Sequence, residues 1–332
     1  MLLRLRTIVL LVLASLPVNA ATVTGVIITK EAARSPTVNV AAAVYQIQTR
    51  NRSGPTELGS VGGAQKQTGE TRRELEESLK TYRDLAKKEP EAYLPHVAAT
   101  LNDLGILDSN QNRIENARKE FEEALKTYRE LAHKEADIYL RYVAITLNNL
   151  GILEGAQNYL KEALRIYRQL AQKEPETYLP SVPMTLNSLG LLDDAQHRCD
   201  EARKEAEEAL KIYRELAQKE PETYLPHVAI TLNNLGIFDS DKKQMDKARM
   251  EYQEAIKTYR DLAQKEPETY LPYVAATLNN LGILDRTQNL PEDARKAFEE
   301  ALKIYEAFAK QDPDQFSPLV ERMKKLLKHL PK

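Results

Sequence analysis

The chain has 332 residues, of which 42% are hydrophobic and 29% charged, with 12 glycines, 5 phenylalanines and no tryptophan. Ala, Leu, Glu, Lys and Arg dominate after residue 70, a helical vocabulary that excludes a loop-rich or all-β fold. A formal net charge of −2 offers no field to a polyanion and argues against nucleic acid as a partner, and the single cysteine, Cys199, excludes an intrachain disulfide.

In chain order, Met1–Ala20 reads as a secretory signal. Arg4 and Arg6 form the positive start, Thr7–Leu16 the apolar run, and Pro17-Val18-Asn19-Ala20 supplies small residues at a cleavage site after Ala20. The apolar run is too short for a hydrocarbon core of about 30 Å, so no integral membrane span is expected in the mature form. Cleavage is the reading taken, with retention as a short anchor its alternative. Loss of the two arginines would take the net charge from −2 to −4. The expected compartment is periplasmic or extracellular.

Residues 21–70 differ in character and suggest no fold. Val23–Thr29 and Val38–Ile47 are short apolar stretches whose β-branched residues suit strands. Asn51–Gly63 gathers Gly, Ser, Pro and Asn, as a linker does, and Asn51-Arg52-Ser53 is a glycosylation sequon that matters only in a glycosylating host.

After residue 70 the text repeats. Glycines at Gly105, Gly151, Gly190, Gly236 and Gly282 are separated by 46, 39, 46 and 46 residues. A period in this range marks a solenoid or a propeller, and the apolar spacing decides for helices. Val97, Leu101 and Leu104 form one helical stripe, helix A. Ala117, Phe121, Ala124, Tyr128 and Leu131 form a second, helix B, after a polar turn at Asp108–Asn112. Pro175, Pro221 and Pro267 stand where a new pair begins, since proline suits a first helical turn. The predicted architecture is therefore all-α: a signal over 1–20, an unassigned segment over 21–70, antiparallel helix pairs over 71–315 and a capping helix over 316–332. Glu74–Lys87 matches helix B alone. Phe316–Leu330 matches helix A alone, with Lys324, Lys325 and Lys328 on the side facing water. The second unit is seven residues short, which predicts a shortened helix B near Tyr159–Gln172.

Leu104-Gly105 followed by Ala117, Phe121 and Ala124 resembles the tetratricopeptide repeat. So do Leu235-Gly236 with Ala248, Tyr252 and Ala255, and Leu281-Gly282 with Ala294, Phe298 and Ala301. In the third unit Ala206 takes the aromatic place. The resemblance covers about residues 74–332. The phrase Thr-Leu-Asn-Asn-Leu-Gly and the long period, against about 34 residues in the usual repeat, resemble the kinesin light chain type and its bacterial relatives. The resemblance implies a right-handed superhelical solenoid with helix A on the concave side and a protein or peptide as partner. There is no heptad coiled coil, so a motor-adaptor role does not carry over.

No constellation for chemistry emerges. None of His96, His133, His197, His227 and His329 stands at metal-ligand spacing from another candidate. His96 and His227 share a repeat position with Tyr142, Ser181 and Tyr273, the tolerance of a surface edge. Cys199 occupies the place of Ile114, Leu160 and Met245 and reads as a small packing residue. No phosphate loop or nucleophile elbow is present, so the chain reads as a non-enzyme without cofactor or metal.

On helix A, opposite the core stripe, a three-residue pattern recurs. It reads Ala99, Asn102, Ile106; then Ile145, Asn148, Ile152; then Met184, Asn187, Leu191; then Ile230, Asn233, Ile237; and finally Ala276, Asn279, Ile283. The spacing places each triplet on one helical face and makes an asparagine ladder between apolar rows. An amide donates and accepts at once and suits the backbone of an extended peptide; within the family, similar grooves use helix A asparagines this way. The alternative role is a staple between neighbouring repeats, for which the second asparagine, Asn149, Asn234 or Asn280, is better placed. The tyrosines of Tyr-Leu-Pro and Ile-Tyr-Arg read as packing between repeats. The leading functional reading is capture of an extended partner segment. The rivals are a self-assembling solenoid, since units three and four are near copies, and a carbohydrate or cell-wall binding protein, for which the face lacks aromatics.

Overall fold

The computed structural model describes residues 7–11, 25–29 and 61–331, with side chains from residue 71 on. The cleavage site after Ala20, the stretch Val38–Ile47 and the sequon at Asn51 lie outside the described residues. Two short strands, β1 (Thr7–Leu11) and β2 (Gly25–Thr29), form a two-stranded sheet. Everything else described is helix or turn.

In order, the helices are α1 (Val61–Ala86), α2 (Pro90–Asn110), α3 (Ile114–Lys134), α4 (Ala136–Glu154), α5 (Gln157–Lys173), α6 (Pro175–Tyr178) and α7 (Ser181–Ala195). After these come α8 (Cys199–Lys219), α9 (Pro221–Asp241), α10 (Met245–Ala263), α11 (Pro267–Thr287), α12 (Pro291–Ala309) and α13 (Pro313–Lys328). The helical array divides into two compact units, a first that ends at Leu192 and a second that begins at Asp193. From α1 to α6 in the first unit, and from α8 to α13 in the second, each helix packs on its neighbours in sequence. The repeat text is thus realised as successive helix pairs, α2 with α3, α4 with α5, α9 with α10 and α11 with α12.

The reason lies in two different helix types. Each B helix carries one apolar stripe and an otherwise charged surface: α3 buries Ala117, Phe121, Ala124, Leu125, Tyr128 and Leu131, and α10 buries Ala248, Tyr252, Ala255, Ile256, Tyr259 and Ala263. Alanine at two of these places lets the backbones approach, and each buried large side chain contributes about 1.5–3 kcal/mol. Each A helix is buried over much more of its circumference, because it meets a B helix on both sides; α9 buries every residue from Pro226 to Asp239. Proline sits at the first turn of α2, α6, α9 and α11, where its missing N–H is unneeded.

The repeat glycine is a packing requirement. A Cβ on Gly105, Gly236 or Gly282 would lie 2.6–2.7 Å from the ring of Phe121, Tyr252 or Phe298, closer than any real contact. In the short pair a Cβ on Gly151 would meet Leu160 at 2.6 Å. Leu160 therefore takes the place of Phe121, which corrects the sequence assignment of Leu160 beside Ile114 and Cys199.

The third unit departs from the sequence expectation of an unbroken helix A. Single prolines at Pro95, Pro226 and Pro272 are absorbed inside α2, α9 and α11. At Leu179-Pro180 the helix breaks into α6 and α7. Here a second proline, Pro183, has no N–H for the Leu179 carbonyl and its ring crowds that oxygen. The Leu179 carbonyl instead accepts from Val182 N at 3.2 Å, a tighter turn.

Candidate interaction face

The triplets predicted to form a binding face fall into two states. In the first unit they are partly open. Ala99 is exposed, and Asn102, Ile106, Ile145 and Ile152 are half-buried, with Asp103, Arg141 and Asn149 beside them. Asn148 of the same unit is buried, as are Met184, Asn187 and Leu191. In the second unit Ile230, Asn233, Ile237, Ala276 and Asn279 are all buried, none more than 4% exposed, and only Ile283 keeps intermediate exposure. A continuous solvent-facing row of five amides is not what the structure presents.

The amides do have structural work. Asn102 Oδ1 accepts from Asn149 Nδ2 and from Thr146 Oγ1, each at 3.3 Å, joining α2 to α4. Asn233 Oδ1 accepts from Asn280 Nδ2 at 3.0 Å, joining α9 to α11. The staple therefore uses both asparagines, the first of one repeat with the second of the next. It consumes the oxygen of Asn102 and Asn233. The Nδ2 of Asn233, the Oδ1 of Asn148, the Oδ1 of Asn279 and both amide atoms of Asn234 are buried without a hydrogen-bond partner. A buried polar atom left unbonded costs about 1–3 kcal/mol, so these amides hold hydrogen-bonding capacity that the helices around them do not use.

At the entrance to four of the five pairs three aromatic side chains converge, and in the third Ser181 takes one of the places. Tyr128 of α3 stacks on Tyr142 of α4 at 5.1 Å between ring centroids, Tyr213 of α8 on His227 of α9 at 5.0 Å, and Tyr259 of α10 on Tyr273 of α11 at 5.3 Å. Tyr139, Tyr224 and Tyr270 flank the same stacks. These tyrosines pack between repeats. The histidine at this position is not uniformly a surface edge, which corrects the sequence reading. His96 is exposed, but His227 is 6% exposed and its imidazole, stripped of water, titrates down at about 4. Arg141 lies 4.5 Å over the Tyr142 ring in the first unit and keeps a cation at the open face.

Sequence reasoning missed a second ladder, made of charge. Three residues after the repeat glycine stands a buried acid: Asp108, Asp239 and Asp285. Each is met by an arginine of the preceding B helix, 36 residues earlier. Arg72 pairs with Asp108, Arg203 with Asp239, and Arg249 with Asp285 at 2.5 Å. In the short pair Arg118 reaches Glu154 at 2.7 Å, and after the last repeat Arg295 donates to the Pro331 carbonyl at 3.0 Å. A glutamate of the following B helix completes two of these clusters: Glu120 lies 3.8 Å from Arg72, and Glu251 4.0 Å from Arg203. Burial, only partly opposed by Arg72 and Arg113, raises the Glu120 carboxyl to about 7. Burial and the adjacent Asp239 likewise push Glu251 upward. The signal was present in Leu-Gly-x-x-Asp at Gly105, Gly190, Gly236 and Gly282, and in the Ala-Arg dipeptides that carry Arg118, Arg203, Arg249 and Arg295.

Cys199 is half-buried at the start of α8, its Sγ 3.9 Å from Asp194 Oδ1. Among the described residues no group of three His, Cys, Asp or Glu side chains is arranged to hold a metal, and no helix is long and apolar enough to cross a membrane.

Comparison with known proteins follows the repeat text. A tetratricopeptide repeat model matches residues 227–307, and a second model of that repeat matches residues 97–132, 141–173 and 184–221, together more than half of the chain. Among solved structures, BtubC (BKLC) from P. vanneervenii is similar over 73% of this chain and 92% of its own, at 19% identity and a TM-score of 0.56. A thermophilic TPR protein of Thermus thermophilus, TTC0263, is similar over 69% of this chain and 98% of its own, at 18% identity and a TM-score of 0.40. No curated protein sequence matches.

Proposed function

Because the chain belongs to the tetratricopeptide repeat family, we propose that it is a protein-interaction scaffold whose inner A-helix face holds an extended segment of a partner protein. The observation that carries this reading is the open part of that face on α2 and α4. Ala99, Ile106, Ile145 and Ile152 are incompletely covered, Asn102 spends only its oxygen on the repeat staple, and Arg141 supplies a cation. Apolar side chains of an extended segment would settle on the isoleucines while its carbonyls accept from the Asn102 amide. Such bonds contribute about 0.5–1.5 kcal/mol each, so a few of them with the apolar burial support roughly micromolar affinity once ordering is subtracted. Placement beyond the cytoplasmic membrane rests on Arg4, Arg6 and the apolar run that follows them.

A displayed library of random peptides, selected on the full chain, tests the face. Ile145→Glu is expected to weaken the selected peptides about tenfold or more, since it puts an unpaired charge against apolar side chains. Lys126→Glu, on the exposed side of α3, is expected to leave them unchanged. Equal binding by Ile145→Glu with the fold intact would remove the proposal.

A further inference from the structure

The exposed edge of the B helices follows a charge rule that α5 alone breaks. Each of the others carries an exposed lysine with an acid one helical turn away. Lys126 of α3 stands between Glu122 and Glu130, and Lys211 of α8 between Glu207 and Glu215. Lys80 of α1 has Glu76 and Asp84, Lys257 of α10 has Asp261, and Lys303 of α12 has Glu299. Opposite charges at this spacing stabilise a helix, and like charges work against it. On α5 the central cation is Arg165, and both acids are gone: Lys161 stands four residues before it and Gln169 four after. The first turn of α5 also holds no acid, whereas those of α3, α8, α10 and α12 hold one or two. The positive end of the helix dipole therefore adds to the charge of Lys161 and Arg165 instead of being offset.

The same stretch of α5 lines an open groove of about 440 Å³. Leu164, buried, is its apolar part, and Lys161, Arg165, Gln169 and Gln172 stand exposed along it. Lys161 Nζ donates to Gln157 Oε1 at 3.2 Å, a neutral partner that leaves the charge uncancelled. Arg165 meets no carboxylate among the described residues. Arg168 also lines the groove and is engaged within the fold, so Lys161 and Arg165 are the cations available there.

We propose that this groove on α5 is a second docking surface, taking an acidic segment of a partner protein that lays two Asp or Glu side chains along Lys161 and Arg165. Four residues of helix rise about 6 Å, a spacing met by one turn of a partner helix or by two residues of an extended strand. The amides of Gln169 and Gln172 donate and accept, which suits polar groups beside the acids. Leu164 offers contact to an apolar side chain. Recognition of a lipid surface draws on clusters of about four to eight cations, and a nucleic acid needs a longer basic stripe. Two cations beside an apolar side chain and two amides match a polypeptide better than either. The surface lies on a B helix and is independent of the inner A-helix face.

The test titrates fluorescent poly-L-glutamate into the full chain at low salt. Lys161→Glu with Gln169→Glu writes into α5 the acids that α3 and α8 carry at these places, so the fold is expected to hold. Binding by this variant is expected to fall about tenfold or more. Arg165→Gln, at an exposed side chain, is expected to weaken binding about threefold to tenfold. Lys126→Glu on α3 and Ile145→Glu on the inner face are expected to leave it unchanged, which separates this surface from that face. Full-strength binding by both α5 variants, with circular dichroism unaltered, would overturn the proposal. Binding to phosphatidylglycerol vesicles as tight as to poly-L-glutamate, and lost in the same variants, would assign the groove to a membrane surface and overturn it as well.

Discussion

The short pair, α4 with α5, and the full-length pair, α9 with α10, solve one packing problem with different amounts of chain. In the long pair α9 closes through a bond from Gln244 N to the Asp239 carbonyl at 2.8 Å, after Lys243 takes φ 59°. In the short pair the same bond runs from Ala156 N to the Gly151 carbonyl at 2.9 Å, after Gly155 at φ 60°. Measured from the repeat glycine, the closing carbonyl has moved back three residues. The remaining four of the seven missing residues are lost from the start of helix B, so that Leu160 arrives opposite Gly151 where Tyr252 stands opposite Gly236. Both glycine contacts survive. What does not survive is the buried aspartate: Glu154, the residue at that place, keeps 22% of its side chain in solvent, whereas Asp239 keeps none. The array tolerates a change of length as long as it falls in the turn and leaves the glycine seam in register.

That seam offers the largest way to break the comparison. Gly236→Ala drives a methyl to 2.6 Å from the Tyr252 ring, and Gly151→Ala drives one to 2.6 Å from Leu160 Cγ. Each is expected to cost about 3 kcal/mol, at the upper end for overpacking. The two should part on rescue. Tyr252→Leu restores most of the loss in Gly236→Ala, because only ring atoms are in the way. Leu160→Ala leaves much of the loss in Gly151→Ala, because the Leu160 backbone N also lies 3.1 Å from the added carbon. Urea midpoints of the four variants decide it; equal rescue in both pairs would mean that the seam reads side-chain size alone.

The entrance to each pair sharpens the comparison through pH. Tyr142 stacks on Tyr128 at the short pair, and His227 stacks on Tyr213 at the long one. His227 titrates at about 4 in the folded chain, below the ordinary value of 6.5. The unfolded chain therefore takes up the proton first. Stability is complete above about pH 6.5 and falls as pH drops toward about 4, with about 2 kcal/mol gone by about pH 5. Glu251 and Glu120, both raised, act in the opposite sense and weaken the fold as pH rises. The difference between wild type and His227→Tyr isolates the histidine. Its expected form is a gain for the variant that appears only below about pH 6.5. A pH-independent difference would show that His227 keeps its solvent-like titration.

Much of this architecture was legible because repetition multiplies weak signals. The stripe Ala117, Phe121, Ala124, Tyr128 is ambiguous once and decisive when it returns at Ala248, Tyr252, Ala255, Tyr259. The candidate face was only half legible. The spacing gives Asn102, Asn148 and Asn233 one repeat position, but spacing cannot tell whether an amide oxygen meets a ligand or the neighbouring Asn149 or Asn280. The Arg–Asp ladder went unread for a different reason. Its partners stand 36 residues apart on different helices, so neither falls within the other's helical turn, and a charge in a Glu- and Lys-rich text looks like solvated surface until burial is known. The break at Pro180 needed the count of prolines within one helical turn rather than the repeat alignment, which counts Pro180 as equivalent to Pro95 and Pro226.

The smallest effect bears on the turn itself. Lys243, Asn112 and Asn289 adopt φ 59° in the long pairs, and the short pair alone uses glycine, Gly155 at φ 60°. A side chain in the left-handed region crowds the following carbonyl and costs about 1 kcal/mol relative to glycine, somewhat less for asparagine. A Cβ at Gly155 would meet only Leu192 Cδ1 at 3.5 Å, an ordinary contact, so the whole cost there is backbone conformation. Exchanging the two residues is then a clean measurement. Lys243→Gly is expected to raise stability by about 0.5–1 kcal/mol, and Gly155→Lys to lower it by a similar amount. Because the positions lie on different pairs and share no partner, the double variant should return close to wild type. A double variant that stays well below wild type would show that the shortened turn demands glycine for its tight closure onto Gly151, and that pair length and turn chemistry are linked.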